Sequence, residues 1–349
     1  MNTYTFSDVL IKPQYSEITS RKNIDTSIKL TNTLTLKLPI ISANMKTITG
    51  PKMAAEIYVN GGFGILHRFN DTTTAINDFE EAYTLTLDAF IHEAVERPDI
   101  DKICGVSIGV QESDESRFDM LYTAGARIFC IDVAHGHHIL VKNMLSRIKE
   151  KNLTDIVVIA GNIATPEAAY DLTEWGADII KIGIGPSPVC TTRTRTGVGI
   201  PQLSALEEIS NQIKNQLKKV KIIADGGISN TGDIAKALKF ADLVMIGSLF
   251  AGTSETPGKA FRGEMGEWYK VYGGSASGEN KVSNGQDNRF VEGMIKTIPF
   301  RGHIKYIIRE IEDGLRSAMS YSNAKNLQEF KEKCEFIFLS SGGKKESKL

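Results

Sequence analysis

Short apolar runs rich in Val, Ile and Phe recur along the chain, and amphipathic stretches of helical length separate them. Gly, Asn, Asp or His stands at or near the end of each run, as expected where a strand enters a turn. Helical segments between the runs include Pro166 to Trp175 and Asn230 to Phe240. The runs begin at Leu38, Phe63, Ile103, Arg127, Asp155, Asp178, Lys221 and Leu243. The pattern therefore predicts strands that alternate regularly with helices.

This alternation decides the predicted fold class, which is α/β. Eight βα units favour a closed parallel (β/α)8 or TIM barrel over an open doubly wound sheet, which more often has fewer strands. The 349 residues fit one such domain with insertions. We expect residues 1–340 to form a single catalytic domain and residues 341–349 a flexible polar tail. The long interval between Phe63 and Ile103 leaves room for a further element.

Two long segments interrupt the regular spacing of strands and helices. Residues 185–201 are polar and loop-like, whereas residues 263–299 are rich in Gly, Ser and Asn and too long for a plain βα turn. Barrel enzymes place their chemistry on the loops that follow the strands. We therefore expect the first segment to be an active-site loop and the second a flap over it.

Glycines follow the last three predicted strands and indicate a site for an anion. In barrels these loops commonly bind phosphate through backbone N–H groups, because glycine lets the backbone approach closely. Asp225 stands at the same edge, where a carboxylate can accept ribose hydroxyls. The alternatives are that the glycines only turn the chain and that Asp225 is a salt-bridged turn residue. These glycines lie in the segments GIGPSP, ADGG and IGS, and together they favour a phosphorylated ligand.

The four cysteines lie far apart without a CxxC pair, which argues against disulfides and structural zinc and favours a reducing compartment. Cys190 lies in the polar loop beside Arg193 and Arg195, whose charge favours a thiolate, so Cys190 is the candidate nucleophile. Cys104 and Cys130 lie in apolar runs, as core residues do. The three histidines at 135, 137 and 138 lack further ligands at a metal-site spacing.

The net charge of -1 does not indicate a nucleic-acid binder, and no apolar run approaches the ~18 residues of a membrane helix. The polar start MNTYTFSD lacks the pattern of a secretory signal, so we expect a cytoplasmic protein. Ser347-Lys348-Leu349 matches a peroxisomal signal, which offers an alternative compartment if the source is eukaryotic.

The segment GIGPSPVCTTRTRTGVGIPQLSAL resembles the active-site loop of the IMP dehydrogenase and GMP reductase family. The resemblance extends over nearly the whole chain, through FSDVLIKP, ISANMKTI, CIDVAHGH, IAGNIATPEA, IIADGGISNTGDIAKAL, VYGGSAS and GLRSAMSY. It implies that Cys190 attacks C2 of a purine nucleotide to form a thioimidate. Hydride then moves between that carbon and a nicotinamide cofactor.

The resemblance implies reductase rather than dehydrogenase chemistry, on two grounds. No room exists between Phe69 and Cys104 for the paired CBS modules that dehydrogenases of the family usually carry. The flap also has Phe290 after Arg289, where a dehydrogenase uses an Arg-Tyr pair to activate water. Glu292 stands nine residues before Arg301, as in the reductases, where this Glu pairs with a loop threonine, here Thr192.

The implied reaction is NADPH-dependent conversion of GMP to IMP and ammonia. Thr192 and Glu292 would relay protons, and Arg68 would take the place of a family lysine. Matched residue by residue, Asp225 would hold the ribose. The phosphate would be bound by Gly226, Gly227, Gly247 and Ser248. Gly274 and Ser275 would contact the substrate, and the cofactor residues would be Asp132, Ala134 and Asn162. The carbonyls of Gly185, Ser187 and Cys190 would hold K⁺, although Pro188 departs from the family's loop.

The resemblance also implies a homotetramer. Two alternatives to the reductase stay open at this point. One is an IMP dehydrogenase without CBS modules, which converts IMP and NAD to XMP. The other is a purine nucleotide-binding protein without turnover, which the altered GPSP loop makes conceivable.

Overall fold

The computed structural model describes residues 3–93, 103–213, 220–274 and 292–347. The N-terminal segment precedes the main sheet and is made of short elements. A 3-10 helix (Phe6–Asp8) leads into strand β1 (Val9–Ile11), and a second 3-10 helix (Arg21–Asn23) follows. Strands β2 (Ile28–Lys29) and β3 (Thr35–Leu36) then form an antiparallel pair.

Eight parallel strands close into a barrel, which confirms the predicted fold class. Each strand pairs with the next in the chain, and β11 closes the ring against β4. The strands are β4 (Ile40–Ser42), β5 (Phe63–Leu66), β6 (Cys104–Ile108), β7 (Ile128–Asp132), β8 (Val157–Ile163), β9 (Ile179–Ile182), β10 (Lys221–Asp225) and β11 (Leu243–Ile246). Seven of them lie within the apolar runs that predicted them, and β8 extends one residue beyond the end of its run at Asn162.

A helix follows every barrel strand, and a short extra helix lies in the loop after β9. The helix after β5 runs for 22 residues and fills most of the long interval between the second and third strands. The helices are α1 (Pro51–Val59), α2 (Thr72–Glu93), α3 (Glu112–Thr123), α4 (Ile139–Glu150), α5 (Pro166–Trp175), α6 (Thr192–Thr196), α7 (Gln202–Ile213), α8 (Thr231–Leu238) and α9 (Ile304–Tyr321).

Local sequence explains where these helices begin and end. The Thr165 hydroxyl accepts the backbone N–H of Ala168 and caps α5, and Pro166 at the first helical position needs no hydrogen bond of its own. Gly176 ends the same helix in the left-handed conformation, at a φ of 118°. The cap at Thr165 fixes where the loop after β8 ends. Loops of this kind carry the functional groups at the barrel mouth.

A three-stranded antiparallel sheet rises beside the barrel mouth, where the sequence predicts a flap. It comprises β12 (Phe261–Arg262), β13 (Trp268–Gly273) and β14 (Ile295–Pro299). Alternation along β13 buries Lys270 and Tyr272. The Lys270 ammonium donates to the carbonyls of Thr253 and Thr256, at 3.0 and 2.5 Å. These contacts fix the base of the flap to the loop after β11.

The C-terminal segment returns to the N-terminal one. After α10 (Leu327–Lys333), strand β15 (Phe336–Phe338) pairs antiparallel with β1, so that Val9 lies opposite Phe338. Residues 341–346 form a short helix, α11 (Ser341–Glu346), and the Lys344 ammonium contacts the Asp8 carboxylate. The division into residues 1–340 and a flexible tail at 341–349 stays a prediction. Within the described ranges, no helix has the length and apolarity needed to cross a membrane.

Candidate active site

A cavity of about 340 Å³ opens at the carboxyl ends of the barrel strands. Its lining comes from the loops after six of the strands and from the flap. The sequence-predicted residues that line it are Arg68, Asp132, Ala134, Asn162, Gly185, Ser187, Cys190, Thr192, Asp225, Gly226, Gly274 and Glu292. The structure thus gathers residues that lie more than 200 positions apart in the chain into one pocket.

The loop that carries Cys190 is held in place by the flap. Cys190 faces Gly293 in an antiparallel bridge, and the N–H of Thr191 donates to the Glu292 carbonyl at 2.8 Å. On the other side of the bridge, the N–H of Met294 donates to the Val189 carbonyl at 3.0 Å. Because of this backbone pairing, the Glu292 side chain lies beside Thr192, although the two are 100 residues apart in sequence.

The three side chains Cys190, Thr192 and Glu292 form a continuous series of contacts, here called the relay. Cys190 Sγ lies 3.2 Å from Thr192 Oγ1, which donates to Glu292 Oε2 at 2.6 Å. A hydroxyl has one proton and two lone pairs, so Thr192 can donate to the carboxylate and still accept from the thiol or a ligand. The relay can therefore move protons between a carboxylate and an atom bound near Cys190.

Arg193 is one of the two arginines predicted to favour a thiolate at Cys190, and in the structure its guanidinium contacts loop backbone. The Arg193 guanidinium donates to the carbonyls of Ile184 and Ile200, at 3.1 and 2.5 Å. Burial lowers the pKa of Arg193, and its attraction to Cys190 opposes that effect. Arg193 therefore shapes the loop through two backbone contacts and places its positive charge near the sulfur.

The glycines after β10 and β11 lie where the backbone passes close to neighbouring side chains. Gly226 has a φ of 91°, and a Cβ there would lie 2.8 Å from Pro186 Cγ, so only glycine fits. A Cβ on Gly247 would lie 3.2 Å from the Tyr272 hydroxyl. The Ser248 hydroxyl donates to the Ile228 carbonyl at 3.0 Å, which ties the two loops together. Gly227 shares the left-handed conformation, at a φ of 79°.

Sequence reasoning missed Tyr272, which reaches this region from β13. Its side chain is 3% exposed and hydrogen-bonds the Ser187 side chain. Burial raises the pKa of Tyr272, and the hydrogen bond with Ser187 opposes that rise. The signal in the sequence is the tyrosine that directly precedes two glycines in VYGG, within the predicted flap. Tyr272 and Ser187 add two hydroxyls to the predicted anion site.

Sequence reasoning also missed Lys181, the centre of a second group of side chains. The Lys181 ammonium lies 2.8 Å from Asp225 Oδ2 and 3.3 Å from Asp132 Oδ1, and it also donates to the Asn162 side chain. We call Lys181, Asp132, Asn162 and Asp225 the charge cluster. Its signal was a single lysine in the apolar run DIIKIGIG, because a charge in a buried strand needs a partner.

The contacts of the charge cluster bear on both predictions for Asp225. Asp225 is salt-bridged, as the alternative prediction has it, since its Oδ2 accepts from both Lys181 and the Asn162 amide, each at 2.8 Å. Yet the carboxylate also lines the cavity. Among the described residues, nothing donates to Oδ1. One oxygen of Asp225 is therefore anchored, and the other keeps its capacity to accept a hydrogen bond.

Arg68 lies next to Asp132. Its Nε donates to the Asp132 carbonyl at 2.9 Å and lies 3.8 Å from the Asp132 carboxylate, while its guanidinium stacks on the Phe69 ring. Burial lowers the pKa of the adjacent His67 to about 4, and Lys46 and Arg117 add to the effect. His67 is therefore neutral near pH 7, and Arg68 supplies the positive charge at this position.

The remaining predicted positions are placed as follows. Ala134 is exposed at the cavity rim, and Gly274 hydrogen-bonds the flap through its N–H to the Met294 carbonyl. Ser275, Arg289 and Phe290 lie outside the described residues. His137 contacts Asp171 at 2.8 Å, and the described ranges contain no group of three or more His, Cys, Asp or Glu arranged for a metal ion.

The fold and site define a (β/α)8 barrel with a cavity at the carboxyl ends of its strands, lined by the candidate nucleophile Cys190. A family model described as the IMP dehydrogenase / GMP reductase domain matches residues 3–349. The chain therefore belongs to the IMP dehydrogenase and GMP reductase family, and it is an oxidoreductase.

Relatives with both names are similar to the chain over most of its length. GMP reductase from Acidovorax sp. (strain JS42) is 36% identical, with 97% of each chain covered. Inosine-5′-monophosphate dehydrogenase from Cryptosporidium parvum is 34% identical, with 98% of this chain and 94% of that protein covered. The crystal structure of a cysteine-to-alanine GMP reductase from Trypanosoma brucei with guanosine 5′-monophosphate superposes with a TM-score of 0.91 at 27% identity, covering 100% and 98%.

Proposed function

We propose that this chain is a GMP reductase that converts GMP, with NADPH, to IMP and ammonia. The observation that carries the proposal is the relay, in which Thr192 bridges Cys190 and Glu292 through contacts of 3.2 and 2.6 Å. A carboxylate and a hydroxyl beside the nucleophile suit the departure of an amine, which needs a proton. Several similar proteins of known sequence are named GMP reductase, which supports the same conclusion.

The reaction follows from the positions of these groups. The Cys190 thiolate attacks C2 of the purine to give a tetrahedral adduct. Thr192 passes a proton from Glu292 to the 2-amino group, which leaves as ammonia, so that C2 is held as a thioimidate on Cys190. A bound reduced nicotinamide would supply the hydride that C2 of the thioimidate needs, and expulsion of the Cys190 thiolate would then release IMP. In sum, GMP, NADPH and one proton give IMP, ammonia and NADP⁺.

Substrate binding would use the opposite side of the cavity. The free oxygen of Asp225 accepts a ribose hydroxyl, and the backbone N–H groups of Gly226, Gly227, Gly247 and Ser248 surround the phosphate. Ser187 and Tyr272 are added to this set because their hydroxyls meet beside Gly247. They offset the loss of the family's serine at the position of Pro188.

The cofactor would lie against Asp132, Ala134 and Asn162, which line the same cavity as Cys190. We propose NADPH as the reductant. We also propose K⁺ at the carbonyls of Gly185, Ser187 and Cys190, because the Ser187 carbonyl accepts one N–H, from Cys190 at 3.0 Å, and keeps a lone pair for a cation. Replacing KCl by tetramethylammonium chloride in the assay tests this. A homotetramer is our proposal for the assembly, tested by light scattering.

A dehydrogenase remains the second candidate, for a specific reason. The Cryptosporidium parvum dehydrogenase aligns over 94% of its own length, so the absence of an insertion does not separate the two activities. The distinction then depends on the flap, where Phe290 replaces the tyrosine that the family's dehydrogenases carry.

The test follows absorbance at 340 nm with purified protein, in parallel with GMP plus NADPH and with IMP plus NAD. A GMP reductase consumes NADPH in the first mixture and releases ammonia in equal amount, and Cys190→Ser abolishes both. A rise in the second mixture, with XMP as product, would identify a dehydrogenase. Nucleotide binding with no change in either mixture would identify a binding protein.

A further inference from the structure

Lys181 is a buried cation on a barrel strand whose other residues are all isoleucines. It lies on β9 between three buried isoleucines, and its side chain is 3% exposed. Removing an ammonium from water is costly, so a buried lysine is retained only where anions and hydrogen bonds surround it. Here the ammonium contacts Asp225 at 2.8 Å, Asp132 at 3.3 Å and the Asn162 amide oxygen.

The partners of Lys181 come from different strands that end at the same mouth. Asp225 ends β10, next to β9, whereas Asp132 ends β7, two strands away on the other side. Asn162 on the intervening β8 accepts from Lys181 and donates to both Asp225 and the Gly183 carbonyl. A single ammonium therefore joins the carboxylate assigned to ribose with the carboxylate assigned to the cofactor.

Charges in this region balance in pairs. The other charged or titratable groups that face the lysine are Asp225 on β10 and Asp132 and Cys130 on β7, with Arg68 beyond Asp132. Burial opposes the charge on Lys181, but Asp225 and Asp132 outweigh it and raise its pKa. Burial likewise favours a neutral Asp132, but Lys181 and Arg68 outweigh it and lower the pKa of Asp132.

We propose that Lys181 is a positioning residue that holds Asp225 and Asp132 in place and ionised, so that the nucleotide and cofactor subsites depend on one buried ammonium. The proposal rests on the proposed function, since it takes Asp225 as the ribose acceptor. Lys181 fixes one oxygen of Asp225 and thereby directs the other to the ligand. Without the ammonium, the two carboxylates share a buried site with one fewer positive charge, and the site takes up a proton as the pH falls.

The experiment measures the dissociation constant of GMP by calorimetry between about pH 8 and pH 6, without cofactor. Lys181→Met removes the charge and keeps an unbranched side chain, whereas Lys181→Arg keeps the charge. We expect wild type and Lys181→Arg to bind GMP with the same pH dependence. For Lys181→Met, affinity should fall further toward acid, by about tenfold per pH unit once the protonated form predominates. A merely structural role would weaken binding equally at every pH.

A double variant, Lys181→Met with Asp132→Asn, removes one charge of each sign. It should show a shallower pH dependence than Lys181→Met, because the repulsion between carboxylates is gone. Should the single variant fail to fold, recovery of folding in the double would support the proposal, and a double that is equally unfolded would contradict it. A Lys181→Met curve parallel to wild type would also overturn it. If wild type binds no GMP at any pH, the proposed function fails instead.

Discussion

The relay and the charge cluster border the same cavity but are built in opposite ways. The relay lies on a loop and a flap, is half-buried, and depends on backbone contacts between segments 100 residues apart in sequence. The charge cluster lies at the ends of barrel strands, and its lysine is almost inaccessible. The groups proposed to move protons thus lie on a loop and a flap, while those proposed to fix the ligand lie at the ends of barrel strands. We therefore expect relay variants to alter kcat and charge-cluster variants to alter affinity.

The largest expected effect is that of Cys190→Ser. Loss of the nucleophile should lower kcat by roughly a thousandfold or more, since the reaction has no alternative route to a covalent intermediate. The dissociation constant for GMP should change little, because ribose and phosphate contacts remain. Stopped-flow absorbance and calorimetry measure the two quantities. A comparable loss of GMP affinity would show that the relay and the binding region are not separate.

The second largest expected effect is that of Thr192→Val, which removes the hydroxyl and keeps the shape of the side chain. We expect kcat to fall by about a hundredfold, the usual contribution of a positioned proton donor, with little change in KM for GMP. Thr192→Ser is the matched control and should retain most of the activity. If serine is as damaging as valine, then Thr192 shapes the loop rather than moving protons.

Asp225→Asn tests the expectation that variants of the charge cluster alter the affinity for GMP. The affinity for GMP should fall by about tenfold or more, since the variant loses a charge-assisted acceptor and leaves Lys181 with one carboxylate partner, Asp132, instead of two. The matched ligand is 2′,3′-dideoxy-GMP, which lacks the ribose hydroxyls and should bind wild type and variant with similar affinities. Should the variant still prefer GMP over the dideoxy nucleotide as strongly as wild type does, Asp225 is not the ribose acceptor.

The smallest expected effect is that of Tyr272→Phe. Loss of one neutral hydroxyl should weaken GMP binding by about threefold to tenfold, through the phosphate. Guanosine, which has no phosphate, is the control and should bind the variant as it binds wild type. An equal loss for GMP and guanosine would place the role of Tyr272 in the packing of the flap.

Much of the fold could be predicted from local sequence. Apolar runs of strand length followed by turn residues located all eight barrel strands, because buried parallel strands leave that pattern in any context. The same pattern could not resolve the interval after Phe63, where α2 carries a weak apolar face among many polar residues. Motif resemblance supplied Thr192 and Glu292, whose contact no local pattern reveals.

The sequence by itself determined the barrel and the family, and it supplied Cys190 as the candidate nucleophile, since each follows from motifs of contiguous residues. Only the tertiary structure decided which distant side chains meet. Lys181 appeared as one polar residue in an apolar run, and its meaning depended on carboxylates from β7 and β10. Tyr272 likewise acquired a role only when β13 brought it to Ser187 and Gly247. The physical reason is that the role of a buried charge or hydroxyl depends on its ion-pair and hydrogen-bond partners. Barrel closure brings those partners together.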